Sequence, residues 1–348
     1  MPNHIEAPGP NELRDPFVRK ELQRAAIWIG LVVLVALVWL LSQPLLLIVG
    51  GVVFAAMLDG GTRLLGRVLP IGRSWRLLIV ALGVIAFLAW VFILAGNQLT
   101  DQFETMRGLI EGQIKKISSW AAARGILQHP EQFAEIGKEV LGSLGRVTSA
   151  VSTAFGAIAS LVMIVVIGVF LAIEPRLYER GVAWMLPIES RDGFYKAMSA
   201  IGATLRRLMA GRLLAMFVEG TGTWFLLTLG NVPMAALLGI LTGLLAFLPN
   251  IGALISGGLM VLVGFSAGSE TGFWAIGVYL AVHAIDGYLI VPMVAKRSVD
   301  LAPALVLGAQ LLFGALFGIL GLALADPIVA MIKVALEQGS ERAEERAG

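Results

Sequence analysis

The sequence predicts an all-α integral membrane protein with about eight hydrophobic helical segments, two of them hairpins that enter the bilayer from opposite sides. Three observations carry this. Of the 348 residues, 57% are hydrophobic and only 14% charged, against about 25% charged in an ordinary soluble domain; the mean hydropathy is +0.84. Fifty consecutive residues, Gly220 to Ser269, carry no charged side chain. Arginine and lysine gather between the apolar runs, which marks the cytoplasmic side. Long helical runs exclude a transmembrane β-barrel. The net charge of +2 therefore reports topology, with no nucleic-acid partner implied. There is no cysteine, hence no disulfide, thiolate metal site or thiol nucleophile.

Residues 1–24 are polar and form a cytoplasmic N-terminal segment with Arg14, Arg19, Lys20 and Arg24. The apolar run that follows lacks a cleavage site and reads as an uncleaved first helix. Residues 25–99 hold the N-terminal transmembrane helices: arms 25–41 and 44–58 joined at Ser42-Gln43-Pro44, a basic segment with Arg63, Arg67, Arg73 and Arg76, and one long helix from 77 to 99. The segment 100–148 is amphipathic, with six basic and six acidic residues. Its neutrality places it outside the cytoplasm. Residues 149–335 form the transmembrane core. Its crossing 150–173 ends at Glu174-Pro175, and 174–212 carries seven basic against four acidic residues, the strongest cytoplasmic marker in the chain. Phe194, Met198, Ile201, Leu205 and Leu208 recur at helical steps there, so its second half reads as a helix lying along the membrane surface.

A fifth crossing runs from Leu213 to Leu229. Arms 233–247 and 251–265 are then each about 22 Å long, short of a full span. Pro249, Asn250 and Gly252 interrupt them, since proline removes a helix donor and glycine permits a reversal. The reading is a hairpin, 233–265, opening outward. Residues 273–292 cross back to Lys296 and Arg297, and 303–335 make a second hairpin, opening inward and joined around the glycines of LFGILG. Residues 336–348 form a cytoplasmic tail. One crossing plus a hairpin thus occurs twice with opposite sense, an inverted repeat characteristic of secondary transporters; simple full crossings with short helices give the same parity.

A hairpin tip at membrane depth has to be buried in protein or line a wet cavity, because each unsatisfied backbone group costs several kcal/mol. The Asn250 amide can serve a solute or the tip backbone. Asp286 and Glu219 lie inside apolar segments, where an ionised acid costs about 2.5–3.5 kcal/mol. They are candidates for binding a proton or monovalent cation, with His283 one turn from Asp286. The structural alternatives are pairing of Glu219 with Arg212, seven residues back on the same face, and helix capping by Asp286. Gln310 and Asp326 flank the second tip; Asp326 precedes Pro327, a pattern common in local turns and caps. Gly239-x-x-x-Gly243 permits close helix contact. No enzyme is indicated. Gly61-x-x-x-x-Gly66 is followed by Arg67-Val68 rather than Lys-Ser/Thr, no G-x-S-x-G occurs, and His4, His129 and His283 lack metal-ligand spacing. No cofactor is implied.

The stretches LMAGRLLAMFVEG, VPMAALLGILTGLLAFLPNIGALIS and HAIDGYLIVPMVAKRSVDLAPALVLGAQLLFGALFGILGLALADPIVAMIKV resemble the autoinducer-2 exporter family of bacterial membrane proteins. The apolar layout agrees from about residue 20 to 335 and the motifs from about 200 to 335. Pro249 and Gly252 match the family's proline-x-x-glycine break, Asp286 its polar position before Leu-Ile-x-Pro, and Pro292, Pro303, Gly318, Gly321 and Pro327 its C-terminal pattern. Where relatives often have glutamine this chain has Arg212, a fixed charge that bears on the solute. The resemblance implies export of small polar solutes across the bacterial inner membrane, with autoinducer-2, a quorum-sensing signal, as namesake. It also implies sodium or lithium exchange for protons in some relatives, and homo-oligomers, notably pentamers. The expected function is a secondary active exporter. The alternatives are a sodium or lithium/proton antiporter and a membrane-anchored scaffold that binds a partner through 100–148.

Overall fold

The computed structural model describes residues 16–90, 159–248, 251–290 and 302–347, with isolated positions 93, 112 and 119. Among them there are only helices and turns, so the protein is an all-α integral membrane protein. The segment 100–148 lies outside the described residues, apart from two positions, as do Pro249 and Asn250.

Helix α1 (Pro16–Leu40) belongs to the first of two compact units, which ends at Leu46. From Lys20 to Leu40 it is long and apolar enough to cross a bilayer, and no residue of that stretch is buried. Its isoleucines, valines and tryptophans therefore present an apolar surface all round, as a membrane span does.

In the second unit, which begins at Leu47 within α2 (Ser42–Leu65), that helix, α3 (Arg73–Trp90) and α4 (Ala159–Ile173) share a core of Phe54, Leu58, Leu77, Ala81 and Ala172. Gly51 and Gly168 let α2 and α4 approach closely: a Cβ on Gly168 would lie 2.9 Å from the Gly51 carbonyl oxygen. Proline at the first position of α5 (Pro175–Trp184) starts a new helix at 87° to α4, where the sequence ends that crossing.

Helix α6 (Ile188–Leu229) is unbroken for 42 residues, about 63 Å. This differs from the sequence reading, which separates a surface-lying helix ending at Arg212 from a crossing starting at Leu213. No proline, and no glycine in an unusual conformation, divides the two stretches, so the helix continues through Arg212.

Most of the remaining helices pack on α6. Helix α7 (Ala235–Leu245) lies against it where Gly220 faces Gly239 and Gly243; a Cβ on Gly220 would be 3.1 Å from the Gly239 carbonyl oxygen. Only small residues allow such backbone contact. At Ala246–Leu248 the last turn of α7 tightens through Leu248 N–H donating to Leu245 O, and α8 (Ile251–Ala267) follows, packed against α7. Gly252 sits so close to the Leu245 carbonyl that a Cβ would collide with it. Gly268, at φ 153°, joins α8 to α9 (Ser269–Ile285). Leu227, Leu238, Met260, Val263, Val278 and Val282 from these four helices form one core.

Helix α9 ends in a π-helical turn, Asp286–Ile290. Helix α10 (Pro303–Ala347) is two limbs hinged at Gly318, at φ 65° and ψ −148°, a conformation that only glycine takes without strain. On length alone it would pass for a single crossing. The hinge instead folds the second limb back on the first, with Gly321 seated against the Phe313 carbonyl.

Candidate functional site

Sixteen residues separate Gln310 from Asp326, a distance of about 24 Å along a straight helix. The Gln310 Nε2 nonetheless donates to Asp326 Oδ1 at 2.7 Å, because each residue stands eight positions from the hinge at Gly318. The other carboxylate oxygen, Oδ2, accepts from Arg212 Nη2 at 2.6 Å. Arg212 lies at mid-length of α6, so this node fastens both limbs of α10 to that helix. The Arg212 and Asp326 side chains are only 17% and 12% exposed. An ion pair so far out of water holds together by geometry and added hydrogen bonds, since desolvation offsets much of its Coulomb attraction. The amide of Gln310 supplies one such bond.

Glu219 follows Arg212 by two turns on the same face of α6 and is 6% exposed. It lies within electrostatic reach of both Arg212 and Asp286. Asp286, in its π-helical turn, is within reach of Arg212 and His283. The His283 ring meets Tyr279 edge-on with centroids 4.5 Å apart, and its buried Nε2 has no hydrogen-bond partner among the described residues. A π turn shifts the backbone register and leaves carbonyls free of their usual helix donors, a device found often at functional sites.

Six of the nine candidates from the sequence, Arg212, Glu219, His283, Asp286, Gln310 and Asp326, therefore gather around the middle of α6. Gly252 stands at the start of α8 instead, and Pro249 and Asn250 lie outside the described residues. Asp286 occupies the C-terminal cap position of α9. Arg212 bonds Asp326 and not Glu219, and the Asp326 carboxylate reaches across the fold rather than capping its own turn.

Two further groups belong to the same polar band. The hydroxyls of Thr223, one turn beyond Glu219, and Thr242, beside the Gly220–Gly243 contact, are completely buried and unpartnered among the described residues. Sequence reasoning passed over both, because a lone threonine in an apolar helix ordinarily bonds the carbonyl four residues back, as Thr221 and Thr228 do here. Three carboxylates thus lie within reach of one guanidinium, beside buried hydroxyls and an imidazole. Carboxylates and hydroxyls of this kind can hold a proton or a polar, hydroxyl-bearing or cationic species.

Apolar helices around an interior set of ionisable side chains, with broken helices on two sides, define a multi-pass membrane transport protein. The sequence pattern of AI-2E family transporters matches residues 28–341, and the chain belongs to this family. It is similar to the proposed transport protein YueF of Bacillus subtilis, 23% identical over 318 residues covering 84% of this chain and 85% of YueF. It is also similar to the proposed permease PerM of Escherichia coli, 27% identical over 339 residues covering 88% and 91%. The AI-2 transport protein TqsA of Escherichia coli is 23% identical over 279 residues, 78% of each chain. These are transport proteins rather than enzymes, and none of the three names is that of a cation/proton antiporter.

Proposed function

We propose that this protein is a secondary active exporter in the bacterial inner membrane that moves a small polar organic solute, such as autoinducer-2, in exchange for protons. The N- and C-termini face the cytoplasm, and the chain works as a homo-oligomer. The observation that carries the reading is the node of Arg212, Asp326 and Gln310, which ties a hinged hairpin to α6 beside Glu219 and Asp286. Solute and proton then meet one set of side chains, which is what coupling requires. Asp286 and Glu219 exchange the proton, and Asp326 and Gln310 hold the hairpin closed until solute displaces their bonds. TqsA, named for AI-2 transport, supports the choice of solute.

The test is uptake into inverted vesicles of the full-length protein. Accumulation of autoinducer-2 that collapses with the proton gradient is expected. Gradient-independent equilibration, or inactivity towards a broad panel of polar metabolites, would overturn the proposal.

A further inference from the structure

At one end of α2 the structure holds a second charge cluster, centred on Asp59 rather than on the Arg212–Asp326 pair. Asp59 lies between three arginines from three helices: Arg63 Nε at 2.8 Å from Oδ2, Arg206 Nη1 at 3.3 Å from Oδ2, and Arg73 Nη2 at 3.6 Å from Oδ1. Arg73 also donates to the Ala172 carbonyl at the end of α4, at 3.0 Å. Arg76, one turn further along α3, lies against Gly66 with its Nε buried and unpartnered among the described residues. Three guanidiniums thus share one carboxylate, with that of Arg76 one turn away along α3. Burial and the neighbouring Arg63 lower the pKa of Arg206, Asp59 opposes them, and Arg207 adds to the lowering. The cluster is therefore net positive.

Its surroundings suggest what balances that charge. Leu64, Val68, Trp75 and Leu78 flank the arginines and are 63%, 79%, 66% and 47% exposed. Leu64, Trp75 and Leu78 lie on two helices apolar enough to cross a bilayer, where exposed apolar side chains suit acyl chains and tryptophan suits the interface. Guanidinium groups pair with phosphate oxygens two at a time, and Asp59 leaves most of their donors unused.

We propose that Arg63, Arg73, Arg76 and Arg206 bind the phosphodiester headgroup of an anionic phospholipid whose acyl chains lie along Leu64, Trp75 and Leu78. The headgroup competes with Asp59 for Arg206 and so loosens the tie between α2 and α6. Basic pockets between transmembrane helices recognise lipid headgroups by this chemistry.

The test uses the full-length protein in neutral detergent, with phosphatidylglycerol, phosphatidylcholine or inorganic phosphate added and lipid adducts counted by native mass spectrometry alongside melting temperature. Phosphatidylglycerol is expected to remain bound and raise the melting temperature, while the other two do neither. Each arginine removed should weaken binding about fivefold, so Arg63→Gln/Arg73→Gln loses roughly 25-fold. Asp59→Asn should instead strengthen binding, because it removes the internal competitor. If the double variant does not fold, Arg63→Gln, at a largely exposed side chain, carries the test alone. Equal binding of phosphatidylcholine, an equal shift from inorganic phosphate, unchanged binding in the arginine variants, or weaker binding in Asp59→Asn would each overturn the proposal.

Discussion

Arg212 and Asp326, 114 residues apart in the chain, are joined at 2.6 Å in an environment that admits little water. Removing either partner strands the other's charge, whereas removing both strands none. Arg212→Gln and Asp326→Asn should each cost about 3–5 kcal/mol of stability, and the double variant far less than their sum. Thermal melting of the four proteins in detergent measures the coupling. Additive losses would mean that the pair contributes nothing as a pair.

The hinge at Gly318 depends on backbone conformation and not on space, since a Cβ there would touch nothing within 4 Å. Gly318→Ala should therefore destabilise by about 1–3 kcal/mol. Gly308, equally open but within a regular limb of the same helix, makes the control: Gly308→Ala should be neutral or stabilising by up to about 1 kcal/mol. Equal melting temperatures for the two variants would remove the hinge from the account.

Asp286→Asn preserves shape and hydrogen-bonding capacity while fixing the charge at zero. Transport into vesicles by this variant should fall and lose its dependence on pH, with folding retained by circular dichroism. A pH profile like that of the parent would take Asp286 out of the proton pathway.

The chain contains no cysteine, so single cysteines report topology directly. Cysteine at Ser42, Asn231 or Ser269 should react with an impermeant maleimide in intact cells, and at Ser74, Ser190 or Ser340 only after lysis. Ser269 is preferable to the adjacent Gly268, whose φ of 153° disfavours any side chain. Labelling of Ser190 and Ser269 from the same side would refute the proposed order of crossings.

Much of this architecture could be read from residue order, because burial in lipid demands apolar runs and the breaks at Gly252 and LFGILG interrupt them visibly. The acids at 219 and 286 announced themselves by standing where charge is costly. What joins them did not, since no local pattern tells Arg212 to choose Asp326 over the nearer Glu219. That choice arises only when Gly318 folds α10. Asp59 was hidden likewise: its partners Arg73 and Arg206 serve in the sequence as topology markers, and only packing turns them into ligands. The continuity of α6 was missed because the charge density changes sharply at Arg212 while helix propensity does not.

Along α6, Arg206 is held by α2, Arg212 by α10, Gly220 by α7 and the Leu226 carbonyl by Trp274 of α9. A continuous rod fastened at four levels cannot yield at one of them in isolation. Tilting it by a few degrees would swing its ends through several ångströms, so Arg206 and Arg212, neighbours on one stiff stretch, shift together, and loosening the charge cluster at the first should be felt at the ion pair of the second.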